Sequence, residues 1–383
     1  MAFRNLTNGD NDQVLIQENS YVRILTLNRP QQLNALSFQM VTRLLDILVA
    51  YEEDPNVKLV ILKGKGRAFC AGGDVVSMIH FGKNVHWSFG AKLSWFEYSV
   101  DYLMATYSKP QVSILNGIVM GGGAGVSIHG RFRVATENTV FAMPEAALGL
   151  FPDVGASHFL SRLPGFFGEY VGLIGARLDG AEMLACGLAT HFVNSNRLPL
   201  LEEALVKVDA VDPAAVCAII DRFSQEVPLK EKSAYHKLDI INRCFSKRTV
   251  EEILSSLEQE AVDGADEWIT ETIQSLKKAS PIGLKLTLRS FREGRLQTIE
   301  QCFIRDYRMC SHAMKQDVSN DFYEGCRAML IDKDKNPKWE PSKLELISDE
   351  MVDRYFSKID GEGWEDLKLP VRYKSTISIK SKL

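Results

Sequence analysis

Short runs rich in β-branched residues alternate with helix-like stretches through the first half of the chain, and that alternation most constrains its fold. VRILTLN (22–28) ends at Arg29-Pro30, KLVILKG (58–64) is a short apolar run, and QVSILNG (111–117) has the same character. Each reads as a strand closed by a turn. Between the first two, Ser37 stands as a cap ahead of FQMVTRLLDILVAYEE, whose apolar residues recur every three or four positions. RVATENTVFAM (133–143) predicts two short strands with a turn near Glu137-Asn138, and residues 168–193 predict two helices and a strand. Strand signals fade after about residue 200. Residues 212–330 read as amphipathic helices broken at Ser280-Pro281, and 332–341 as a polar turn. The expectation is an α/β core over 12–205, a helical C-terminal region over 206–365 and a charged tail over 366–383.

Composition narrows the function classes. At 383 residues and 45% hydrophobic content the chain can bury a large core. A net charge of -4 without a basic stripe argues against nucleic acid as a partner. No apolar run reaches the ~18 residues of a membrane span. The seven cysteines are widely spaced, with no CxxC pair and no metal-like Cys/His spacing, so free thiols in a reducing compartment are expected. MAFRNLTNGDNDQVL lacks a signal-like apolar stretch, and Asp10 and Asp12 do not suit an organelle presequence. The last residues, Ser381-Lys382-Leu383, spell a peroxisomal address read by an import receptor.

Two glycine-rich turns follow buried strands: Phe69-Cys70-Ala71-Gly72-Gly73-Asp74, and Gly121-Gly122-Gly123 after Asn116-Gly117. Glycine lets a backbone N–H approach a ligand unobstructed. The second turn opens a helix, whose first N–H groups lack intrahelical acceptors. Two such groups converging on one oxygen would form an oxyanion hole. Glu145 and Asp153 lie eight residues apart with Gly149 and Pro152 between them, so one continuous helix is not expected. A turn can bring both carboxylates to one pocket, or each can simply cap a short helix.

FCAGGD, NGIVMGGGAGVSIHG, FAMPEAALGLFPDVG and ACGLATHFV together resemble the crotonase superfamily. More narrowly, the chain resembles the 3-hydroxyisobutyryl-CoA hydrolases, the plant peroxisomal form in particular. The resemblance runs from about residue 13 to the end and includes SNDFYEGCRAMLIDKDKNPKW in the helical region. It implies a crotonase-type ββα spiral core followed by a helical C-terminal region. It implies that Gly73 and Gly122 donate the oxyanion N–H groups, that Glu145 and Asp153 are catalytic, and that Glu97, in a Glu-Tyr pair, contacts substrate. The substrate would be a short 3-hydroxyacyl-CoA ester of valine breakdown, with no metal or redox cofactor; self-association is left open.

The hydratases of this superfamily carry a second catalytic glutamate just after the glycine triple, where this chain has Ala124 and Gly125. That absence weighs against an enoyl-CoA hydratase or isomerase. A non-catalytic RNA- or ribosome-associated homologue is disfavoured by Glu145, Asp153 and the acidic balance. His158 stands where many relatives have other residues; it is a helix-face histidine or a lining of the acyl pocket. His129 and His191, in apolar stretches, read as hydrogen-bonded core histidines, and Asp74 as a helix cap. Lys285, Arg289 and Arg295 either meet CoA phosphates or form a solvated face.

Overall fold

The computed structural model describes residues 12–208, 212–264, 266–359 and 364–372. Ser381, Lys382 and Leu383 lie outside the described residues.

Two sheets carry the core. The larger has strand order β1-β2-β3-β5-β7-β10, with β1 (Val14–Asn19), β2 (Val22–Leu27), β3 (Leu59–Gly64), β5 (Gln111–Leu115), β7 (Phe132–Ala135) and β10 (His191–Phe192). Only β1 runs antiparallel to its neighbour. The smaller sheet has order β4-β6-β8-β9, from β4 (Ala68–Cys70), β6 (Ile118–Met120), β8 (Val140–Ala142) and β9 (Leu178–Asp179).

The chain alternates between the two sheets. A strand in the large sheet is followed by a short one in the small sheet and then by a helix: β3, β4 and Val75–Asn84; β5, β6 and Gly122–Ile128; β7, β8 and the Glu145–Leu148 turn. Because β4, β6 and β8 are parallel neighbours, three successive repeats end side by side. That is why segments around residues 73, 122 and 145 meet.

The large sheet is buried on both faces, as expected for parallel strands. Val22, Ile24, Leu59, Ile61, Val112 and Ile114 pack against Leu201, Val216 and Ile220 of the outer helices. The alternate residues Leu25, Leu27, Val60 and Leu62 join the main core. That core runs on into the helical region through Phe291, Phe303 and Met309. Ser280 caps the Pro281–Gly294 helix, accepting from the Gly283 N–H, with the proline at its first position. Ser37 caps Phe38–Glu53 as its spacing suggested.

Several elements differ from the sequence reading. β1 has no clean alternation: VLIQEN is an edge strand, buried at Val14 and half-buried or exposed beyond it. β4 and β6 are three residues each, too short for periodicity to register. The 168–193 stretch holds two strands, β9 and β10, each only two residues long.

Candidate active site

A cavity of about 630 Å³ opens where the repeats meet. Gly73, Gly122, Glu97, Glu145 and Asp153 all line it. The helical region closes it with Cys310, Phe322, Met329 and Leu330.

The two glycine turns abut. A Cβ built on Gly122 would lie 3.1 Å from the Gly73 nitrogen. It would also lie 1.9 Å from Oε1 of Glu97, and one on Gly73 would lie 3.2 Å from Oε2. Glu97 is thus pressed against both glycines, and a side chain at 122 would expel it. Gly122 is the first residue of its helix, so its N–H has no intrahelical acceptor. Around Gly73, the Ala71 and Asp74 amides donate to Leu33 and Leu36 carbonyls. Asp74 accepts from the Ser77 N–H and pairs with Arg29 at 3.1 Å, which fixes it as a cap.

Glu145 begins a 3₁₀ turn that ends at Gly149 in the left-handed region. Beyond Asp153 the chain turns through Val154 (φ 53°) and Gly155 (φ 75°). Positive φ at a β-branched residue costs on the order of 1–3 kcal/mol and needs outside support. Here the Val154 carbonyl accepts from His129 Nε2 at 2.8 Å. The Gly155 N–H donates to Asp306 at 2.9 Å, and Ala156 N–H donates to the Asp153 carbonyl. The strained turn aims Asp153 at the cavity. Its carboxylate accepts the Tyr98 hydroxyl.

Crowding carboxyls in a dry pocket favours their neutral forms. Burial, and then the charge of Asp153, holds the Glu145 carboxyl well above the usual range. Glu97 is pushed up to about 8 by burial and by Asp153. Asp153 rises by burial only to about 6, because the Tyr98 hydrogen bond offsets it. Oε2 of Glu145 has no hydrogen-bond partner among the described residues, so it is available to a ligand. Cys310 also lines the cavity, but burial pushes its thiol up to about 12, which disfavours it as a nucleophile.

Asp101, Tyr98 and Asp306 were missed by sequence reasoning. Asp101 lies one helical turn past Glu97, fully buried, with both oxygens unpartnered among the described residues. A Cβ on Gly125 would lie 2.5 Å from Asp101 Oδ2 and 2.8 Å from the Val154 Cβ. Position 125 therefore has no room for the glutamate of a hydratase. The available signal was two carboxylates inside an otherwise apolar stretch, SWFEYSVDYLM.

Other candidates fall elsewhere. His158 is half-buried and does not line the cavity; burial and Arg162 lower its pKa to about 3. Lys285, Arg289 and Arg295 pair with Glu251, Glu293 and Glu169 in the fold itself. Arg29 and Lys65 line a neighbouring groove that shares Gln32 with the cavity. No set of three metal-ligating side chains within ligand spacing lines the cavity among the described residues. The one such set, His191, Cys217 and Asp221, is remote from it in residues and brings together what sequence spacing kept apart.

Comparison with known proteins gives the family. Residues 22–356 match the family model described as enoyl-CoA hydratase/isomerase. The chain is 66% identical to "3-hydroxyisobutyryl-CoA hydrolase 1" of Arabidopsis thaliana, over 94% of this chain and 95% of that one. It is 46% identical to "Small ribosomal subunit protein mS47" of the same plant, over 94% and 88%. Among solved structures, a carnitinyl-CoA dehydratase from Mycobacterium thermoresistibile superimposes with a TM-score of 0.84 at 35% identity, covering 94% of this chain and 99% of that one. With residues 22–356 matching its model and relatives this similar over nearly the whole chain, the chain belongs to the enoyl-CoA hydratase/isomerase family of the crotonase superfamily.

Proposed function

We propose that the chain hydrolyses 3-hydroxyisobutyryl-CoA, and related short 3-hydroxyacyl-CoA thioesters, to the free 3-hydroxy acid and CoA. One observation carries the reading: Glu145, Asp153 and Glu97 converge on two adjacent glycine amides while position 125 is closed to a carboxylate. The 66% identical relative bears the name of that hydrolase.

The Gly73 and Gly122 N–H groups hold the thioester oxygen and stabilise the negative charge it gains on attack. Glu145 is the nucleophile, forming an anhydride that water then cleaves, or the general base that deprotonates water. Either route adds the elements of water across the C–S bond, and the thiolate leaves with a proton. Asp153 spends one carboxylate oxygen on Tyr98 and has the other for the substrate's 3-hydroxyl. Glu97, beside both oxyanion glycines, completes that contact and passes a proton towards the leaving sulfur. The chemistry uses these side chains and water, with no resident cofactor or metal.

The hydratase reading has the dehydratase structure in its favour, but lacks its second carboxylate at 125. A ribosome-associated role has the ribosomal relative in its favour, but leaves the carboxyl cluster unexplained. The reaction places the chain in valine breakdown. Ser381-Lys382-Leu383 directs it to the peroxisome through an import receptor. A fluorescent protein carrying residues 374–383 at its end should become peroxisomal, and cytosolic when one residue is added; mitochondrial import of the full chain would contradict this.

The substrate claim is tested by thiol release across a panel of acyl-CoAs. Esters with a 3-hydroxyl should turn over faster than their 3-deoxy counterparts. Equal rates would remove the assigned role of Asp153, and no release from any ester would favour a non-catalytic role.

A further inference from the structure

Away from the acyl cavity, the edge strand β10 presents His191 to the Pro213–Phe223 helix, where Cys217 and Asp221 lie one turn apart on one face. His191 Nε2 is 3.3 Å from Asp221 Oδ1 and 3.8 Å from Cys217 Sγ, and that sulfur is 3.6 Å from Asp221 Oδ2. His191 is buried, Cys217 half-buried and Asp221 exposed.

The Thr190 hydroxyl accepts from the Arg133 N–H at 2.9 Å and lies 2.8 Å from His191 Nδ1. With the ring hydrogen on Nδ1 against that hydroxyl, the Nε2 lone pair faces a carboxylate oxygen and a thiol, an arrangement that a cation between them completes.

The spacing suits a tetrahedral ion. Zinc bond lengths of about 2.0–2.1 Å to nitrogen, 2.3 Å to sulfur and 2.0–2.2 Å to oxygen give edges of about 3.3 Å for N–O and about 3.5 Å for S–N and S–O. The observed separations of 3.3, 3.8 and 3.6 Å are close to these, and a small rotation of the exposed Asp221 lets one oxygen serve both edges. The Thr190 contact is the outer-shell bond that orients a metal-ligating histidine.

We propose that His191, Cys217 and Asp221 form a divalent transition-metal site, best suited to zinc, with water as the fourth ligand. The ion displaces the Cys217 thiol proton, so one proton leaves for each ion bound. Its effect is to staple the helix that carries Val216, Ile219 and Ile220 onto the edge of the large sheet. None of the three ligands lines the acyl cavity, so the ion acts on the fold and not on the thioester.

The test uses the full chain, stripped with a chelator and titrated with Co²⁺ and then Zn²⁺. One Co²⁺ per chain should give the d–d bands of a tetrahedral centre with a thiolate-to-cobalt charge-transfer band, and zinc should bleach both. Zinc should raise the thermal unfolding midpoint and release one proton per ion. Cys217→Ser should abolish the charge-transfer band. Asp221→Asn, at an exposed position, should weaken zinc binding at least about tenfold. Both variants should release CoA at the unaltered rate without added metal. The proposal fails if the wild type shows no thiolate band, as a protonated His191 paired with Asp221 would require. It also fails if the band survives in Cys217→Ser or if Asp221→Asn binds zinc unchanged.

Discussion

Tyr98 donates its phenolic hydrogen to the carboxylate of Asp153, joining the Trp87–Thr106 helix to the strained turn at Val154. Burial pushes the Asp153 carboxyl up, to about 6, and that bond holds it from rising further. Its loss should raise the Asp153 pKa. A hydrogen bond to a charged group contributes about 1.5–3 kcal/mol, and one pKa unit is about 1.4 kcal/mol. Tyr98→Phe should therefore move the acidic limb of the pH–rate profile upward by about one to two units, read from kcat/KM for CoA release. An unmoved limb would show that Asp153 does not set it.

Glu145 must shed its proton to attack the thioester or to activate water. Burial and Asp153 hold that proton on Glu145 above the usual carboxylate range, so the rate should climb as pH rises beyond that range, and it should fall through about 8, where Glu97 loses the proton it passes to the leaving sulfur. Glu145→Gln should lower turnover by about 10²–10⁴, or more if it is the nucleophile, with little change in binding. Single turnover by excess enzyme in ¹⁸O-water distinguishes the routes. Label in the protein marks an anhydride cleaved at the Glu145 carbonyl. Full activity in Glu145→Gln would remove its assignment.

Gly125→Glu would restore the hydratase residue but collide with Asp101 and Val154. Overpacking of this kind costs about 1–3 kcal/mol. The variant should melt lower and gain no crotonyl-CoA hydration. Adding Asp101→Ala should recover part of the lost stability, because it removes the nearer obstacle. Scanning calorimetry of the single and double variants reads this directly.

The outline of this site was legible in the sequence, and its support was not. The strands of 22–28, 58–64 and 111–117 show as short runs rich in apolar and β-branched residues because a parallel sheet is buried on both faces. The glycine turns and Glu145 follow such strands closely, so local pattern exposes them. Asp306 acts on Gly155 from 151 positions away, and no local pattern records that contact. Asp101 is hidden for a different reason. A carboxylate on a helix normally signals a solvent face, whereas the Trp87–Thr106 helix is wrapped by neighbours on most sides.

Glu97 bears on stability. Its pKa in the folded chain, about 8, exceeds that of an unfolded glutamate. The folded state then holds more protons, so this group's contribution is full below the unfolded pKa and is lost as pH rises through about 8. Glu97→Gln should remove that loss, raising the unfolding midpoint of the variant relative to the wild type at pH about 8 and narrowing the difference near pH 5, where the wild-type carboxyl is neutral as well. Equal pH profiles for the two proteins would contradict a neutral Glu97.

The central claim is that this carboxyl arrangement hydrolyses thioesters and does not hydrate double bonds. The direct measurement compares, for one preparation, CoA release from 3-hydroxyisobutyryl-CoA with hydration of crotonyl-CoA. Release should be fast and hydration slight, because position 125 offers no second acid–base group. Hydration outpacing release would contradict the account.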